Sequence, residues 1–317
     1  GRLVSGDLSL NQARGRMELD LVRDGVTRMT AAGALSAARA SWSGLGAPKN
    51  DDLPELAELK RALSAFAIDA PGVELLAGSV GTALTMTRPV TARPSNGGVL
   101  TLTPASTPLF MAEAGRPGGG ALSLTAQRGG GLPEARIVVP SWSLTPGGFR
   151  ATLEGEAALD FGPARNLTLS TRGELASNGG RLTYTAQGCI PLSVERMELG
   201  ENDVTDVSGR FCPADAPLIT VADGSWRAQG SLAEVGATAP FLAMRFHDAQ
   251  GRLVVDGRPA GLTMSATVAR AQVSDTTAPT RATAATQPGQ RARRSARACQ
   301  ARTASSAVMG DSRTSPS

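Results

Sequence analysis

Short runs in which aliphatic residues alternate with Thr, Ser or Arg recur from about Leu3 to Ser274, each cut by Gly or Pro. Leu262, Met264, Ala266 and Val268 alternate with Thr263, Ser265 and Thr267. Leu122, Leu124 and Ala126 do so with Ser123 and Thr125, and Leu182, Tyr184 and Ala186 with Thr183 and Thr185. Successive side chains of a strand point to opposite faces, so each run predicts a strand with one apolar and one hydroxyl-rich face. Turns are expected at Asn96-Gly97-Gly98, Gly118–Gly120, Gly129–Gly131, Pro146-Gly147-Gly148, Phe161-Gly162-Pro163 and Asn178-Gly179-Gly180. The expected fold class is all-β, an antiparallel meander.

One segment breaks the pattern. In residues 51–66, Leu56, Leu59, Leu63 and Phe66 recur at helical spacing, Pro54 suits a first helical turn, and Asp51 or Asp52 is the expected cap. This divides the chain into a β segment over 1–50, a short amphipathic helix over 51–66 and the main β segment over 67–275. Internal repetition is faint. Gly120–Gln127 resembles Gly180–Gln187, and Pro163–Ser170 resembles Pro259–Ser265. Strands drawn from a small alphabet look alike without a repeat, so coincidence and a degenerate structural repeat both stay open.

One Tyr, three Trp and seven Phe in 317 residues leave little aromatic bulk for a thick sandwich core, so an open or thin aliphatic sheet is expected. The net charge of +4 is a property of the end of the chain. Residues 276–317 hold Arg281, Arg291, Arg293, Arg294, Arg297, Arg302 and Arg313 against Asp311, which leaves the β region at about −2 and gives it no nucleic-acid footprint. The same residues lack Leu, Ile and aromatics, so they are expected to be disordered. So abrupt a change reads as a shifted reading frame or truncated gene end; a basic patch for acidic surfaces is the weaker alternative. No apolar stretch reaches membrane-spanning length, and the chain opens at Gly1 without a signal-peptide pattern, which reads as an internal piece of a longer protein.

Chemistry-bearing patterns are sparse, and the chain reads as a non-enzyme without a cofactor. His247, in Phe246-His247-Asp248, is expected at an exposed strand end beside a turn rather than in a catalytic triad. Three Cys and one His at these spacings do not compose a zinc site, and neither Lys49 nor Lys60 sits in a phosphate loop. Cys189 and Cys212 are the most specific local feature. Val194, Met197 and Leu199 read as one strand and Val207 to Phe211 as the next, a hairpin that brings the two sulfurs together at its open end. A disulfide there implies an oxidising compartment such as the periplasm, and two buried free thiols are the alternative.

The segment Gly188-Cys189-Ile-Pro-Leu-Ser-Val-Glu-Arg-Met-Glu-Leu-Gly, with Asp206-Val-Ser-Gly-Arg-Phe-Cys212-Pro213 and Pro217-Leu218, resembles the YdbH family of Gram-negative envelope proteins, which are AsmA- and TamB-like. The resemblance spans roughly residues 1–276. It implies a taco-shaped β-groove in the periplasm, anchored by an inner-membrane helix absent from this sequence, that carries phospholipid acyl chains toward the outer membrane. Residues expected to line the groove are Leu84, Met86, Leu100, Leu102, Leu122, Leu124, Leu167, Leu169, Leu182, Tyr184, Leu262, Met264 and Val268. The expected partners are phospholipid, the inner membrane and envelope or outer-membrane proteins, with no nucleic acid. The runner-up is a structural β-solenoid or adhesin-like segment whose apolar face is an ordinary packed interior.

Overall fold

The computed structural model describes residues 2–23, 27–50, 52–79, 81–105, 108–113, 116–214, 216–258 and 261–276. The Arg-rich end, with Cys299, lies outside them. The described residues form β1 (Arg2–Ser5), β2 (Leu8–Arg23), β3 (Thr27–Trp42), α1 (Pro54–Ser64), β4 (Phe66–Gly78), β5 (Gly81–Met86), β6 (Val90–Pro94), β7 (Val99–Thr103), β8 (Phe110–Glu113), β9 (Gly119–Gln127), β10 (Glu134–Thr145), β11 (Gly148–Phe161), β12 (Ala164–Asn178), β13 (Arg181–Ala186), β14 (Ile190–Met197), β15 (Val204–Cys212), β16 (Ile219–Ala222), β17 (Ser225–Ala239), β18 (Met244–Arg258) and β19 (Gly261–Asp275). All nineteen strands join one antiparallel sheet, as the alternation predicts. β3 pairs with β4 across the helical insertion, so the segments before and after α1 belong to the same sheet.

The meander is interrupted twice in the same way. β4 pairs with β5 along one half and β6 along the other; β5 then pairs with β8, β6 with β7, and β9 spans both. β12 through β17 repeat this plan, with β13 and β14 sharing β12, and β15 and β16 sharing β17. The correspondence extends to single hydrogen bonds at the crossovers. Thr87 N–H donates to Gly72 O (3.0 Å) where Gln187 N–H donates to Arg172 O (2.9 Å). Ala121 N–H donates to Pro108 O (3.2 Å) where Gln229 N–H donates to Leu218 O (2.9 Å). The repeat is therefore real but lies elsewhere than the sequence similarities suggest. Gly120–Gln127 falls in β9, a full strand, and Gly180–Gln187 spans β13, a half strand, so resemblance there came from alphabet alone.

Cys189 and Cys212 close the hairpin of β14 and β15 with their sulfurs at bonding distance and their Cα atoms 3.9 Å apart. They flank the pair Ile190↔Phe211, and the matching pair of the first unit, Val90↔Leu102, is flanked by Pro89 and Thr103. Only the second unit thus carries the bridge. The strand bounds shift slightly from expectation, because Leu199 lies beyond β14 in the turn.

Gly119 and Gly120, expected in a turn, instead open β9. A Cβ at Gly118 would lie 2.7 Å from Phe110 Cζ, so small residues here make room for rings. The helix is shorter than expected, and its N-cap is Leu53 without a side-chain cap. Asp52 has a different partner: both its oxygens lie 2.8 Å from buried Lys60 Nζ, and it accepts Lys49 N–H at 2.7 Å. Lys60 and Lys49 hold its carboxyl below the usual carboxylate range. That pair fastens the loop before α1 to the helix.

Replacing both Cys189 and Cys212 by Ala frees the 23-residue separation they span. The expected loss of unfolding free energy is about 3 kcal/mol on the chain-entropy estimate. Urea unfolding of parent and variant measures it, and a reduced parent should match the variant.

Candidate functional site

Cross-strand register assembles the apolar residues into continuous rows. One row runs Phe149–Ser177–Leu182–Val221–Trp226–Gly257–Leu262 across β11 to β19. A second runs Leu175–Tyr184–Ile219–Ala228–Val255–Met264, and a third Ile190–Phe211–Leu232–Gly251–Val268. In the first unit, Leu19–Ala31–Leu75–Leu84–Phe110 and Met17–Gly33–Val73–Met86 are the counterparts. Leu100 pairs with Ala126, Leu102 with Leu124, Leu122 with Val139, Leu167 with Leu159 and Leu169 with Ala157. Every expected lining residue therefore falls on this one face.

The face is covered but not sealed. Met86 and Tyr184 are buried, Val268 is exposed, and the other ten expected lining residues are half-buried. Leu218, in the crossover between β15 and β16, is the largest fully buried side chain among the described residues. It centres a cluster with Tyr184, Ala186, Ile190 and Phe211, against which Leu153, Leu169, Leu175, Leu192 and Leu253 pack. At the β2 end the same face opens outward, with Met17 74% and Leu19 62% exposed.

The face is rolled onto itself. Phe149 and Trp226 share a row, and Phe161 lies twelve residues further along β11, so on a flat sheet its ring would be roughly 40 Å or more from Trp226. The two ring centroids are 5.7 Å apart. A Cβ on Gly162 would lie 2.6 Å from Leu262 Cδ2, so the turn after β11 also touches the start of β19. Opposite rims of the sheet thus meet above the apolar face. Outside α1, the near rim carries Asn96, whose amide donates to Gly130 O at 2.7 Å and Glu58 O at 3.3 Å. Arg165 ties β12 to Glu55 of α1 (3.4 Å) and to Glu198 (2.7 Å), so the helix lies along that rim.

Aromatic rings seat over glycines in this lining. A Cβ on Gly173 would lie 2.7 Å from Tyr184 Oη, one on Gly230 2.8 Å from Phe211 Cε2, and one on Gly257 would overlap the Trp226 indole. Desolvation pushes the Tyr184 phenol up, opposed by its hydrogen bond with Thr171 Oγ1. Trp142 stacks on Phe110 at 5.8 Å and donates Nε1–H to Leu109 O at 3.1 Å.

The opposite face is laced by exposed cross-strand ion pairs: Arg150–Glu174 (2.8 Å), Arg172–Glu154 (2.8 Å), Arg227–Asp256 (2.7 Å) and Arg210–Glu234. Arg227 holds the Asp256 carboxyl below its ordinary range. Such exposed pairs contribute little stability each, but they mark this face as the hydrated one. His247 lies inside β18, next to a bulge at Asp248, rather than at a strand end. It is exposed, with Nε2 2.9 Å from Ser274 Oγ on β19. Among the described residues no group of three or more His, Cys, Asp or Glu is arranged to hold a metal, and no helix is long and apolar enough to cross a membrane.

Phe161, Trp226, Leu218 and the glycines beneath the rings were not expected in the site. Three of those glycines had a signal: Gly173, Gly230 and Gly257 occupy positions in phase with the apolar stripe. The rim contact had none, because it joins turns that only the roll brings together.

No protein-family model, curated protein or solved structure matches this chain.

Gly257→Val places a branched side chain where the Trp226 indole lies. The expected outcome is displacement of the indole, a red-shifted tryptophan emission and destabilisation of roughly 1–3 kcal/mol, read by fluorescence and urea unfolding.

Proposed function

We propose that this chain is a segment of a non-enzymatic lipid carrier, in which phospholipid acyl chains travel along the apolar face of the rolled sheet. The observation that supports it is the lining itself. Aliphatic rows cross the sheet in register, yet ten of thirteen lining residues remain half-exposed instead of filling a sealed core. Removing a phospholipid's roughly 30 methylenes from water is worth on the order of 25 kcal/mol at about 0.8 kcal/mol each. A continuous aliphatic wall supplies that everywhere along a path, without a specific pocket. The polar face, with its ion pairs, stays in water. The cystine supports an oxidising working compartment; in this reading that compartment is the periplasm, with the whole protein anchored to the inner membrane and an outer membrane or envelope partner receiving lipid. The resemblance to the YdbH family points the same way.

A structural β-segment is the second reading, and the packed cluster around Leu218 favours it. The two differ in whether the face admits lipid. The 317-residue chain, exported to a bacterial periplasm and purified in mild detergent, is expected to carry about one or more phospholipids per protein by extraction and mass spectrometry. A variant with Leu122, Leu124, Leu182 and Met264 changed to Asn, still β-rich by circular dichroism, is expected to lose them. A folded, lipid-free parent would select the structural reading.

A further inference from the structure

We propose that the Phe161–Gly162 turn and the wall made by Trp226 and Leu262 form a lateral latch over the apolar face, and that acyl chains enter and leave sideways when it parts. This rests on the lipid-carrying reading above. The contact joins rims separated by most of a strand's length, and it is thin: the Phe161 and Trp226 rings at 5.7 Å, and Leu262 against the Gly162 backbone. None of Phe161, Trp226 and Leu262 is fully buried, in contrast to Leu218 at 1% exposure. Gly162 has φ +53°, and its missing side chain is what lets Leu262 approach.

Two kinds of contact hold the turn. The Arg165 guanidinium donates to Gly162 O at 2.7 Å and pairs with Glu198 and Glu55, fixing the turn to the rim and to α1. Toward the seam the contacts are ring on ring and methyl on backbone. Lipid tails are as apolar as Leu, so an acyl chain sliding into the seam replaces these contacts with equivalent ones. A rim closed by ion pairs would have to leave charges unpaired against hydrocarbon. Gly162 is thus held by charge at its carbonyl, and the contacts that yield are the apolar ones of Trp226 and Leu262 across the seam.

The test uses the full chain with Cys299→Ser as background, and Gly162→Cys with Leu262→Cys added to it. The probe is pyrene-labelled phosphatidylglycerol in vesicles of phosphatidylethanolamine and phosphatidylglycerol. The oxidised double-cysteine protein, with its added cross-link verified by mass, is expected to take up probe at least tenfold more slowly than the oxidised background. Reduction is expected to return it to the rate of the background reduced alike. Phe161→Ala, which removes one ring from the seam, is expected to load severalfold faster while keeping the parent's circular dichroism, and it decides the matter should the double variant not fold. A cross-linked protein loading at the background rate, or Phe161→Ala loading unchanged, overturns the latch and leaves the lipid-carrying reading standing. A background protein that takes up no probe overturns that reading, and the latch with it.

Discussion

A sheet of nineteen strands with one apolar face has to hide that face, and this chain covers much of it with the sheet itself. Alternation fixes which residues share the face, and register carries them from strand to strand without a break. Apolar area exposed to water costs about 25 cal/mol per Å², which favours curling until opposite rims touch. Every other feature of the fold follows from how the curl is achieved and where it stops.

Curling needs departures from regular pairing. β-Bulges bend a strand and sharpen its twist, and the register shifts in many of the long pairs: between Gly33 and Leu35, Val138 and Ser141, Thr205 and Ser208, Leu232 and Val235, and His247 and Gln250. Gln12, Asn166, Asp206, Glu234 and Asp248 adopt left-handed backbone within the strands. The two mid-sheet interruptions add further freedom, since two half-strands set their directions separately where one full strand would be stiff. Leu218 fills the second interruption, and Cys189–Cys212 bolts its edges together. The same architecture leaves the β2 end open, so the face passes from exposed to roofed along the sheet.

Much of this was legible in the residues. Period-two alternation identified the strands and the apolar side of each, because side-chain direction in a strand is a local property; that these sides share one face comes from the register. The cysteine hairpin was legible for the same reason: two adjacent strands and a short turn fix which ends meet. The helix was legible in kind but not at its start, where Asp52 found Lys60 eight residues on instead of capping. The roll was not legible in the alternation itself; a taco-shaped groove entered only as what the family resemblance implies. The roll depends on bulges at residues such as Glu234 and Gln12, which carry no turn signature, and on contacts between turns distant in sequence. The duplicated topology was hidden too, since pairing of half-strands constrains hydrogen bonds and not side-chain identity. Val90 and Ile190 correspond, but so do Pro89 and Cys189.

The distance between the two rims reports the roll. Nitroxide labels at Pro163 and Asp223, in a Cys299→Ser background, report the separation of the two turns by pulsed electron paramagnetic resonance. A rolled sheet predicts a distribution centred below about 25 Å, label arms included. A distribution centred at roughly 40 Å or beyond, the spacing of the same turns on a flat sheet, would contradict it.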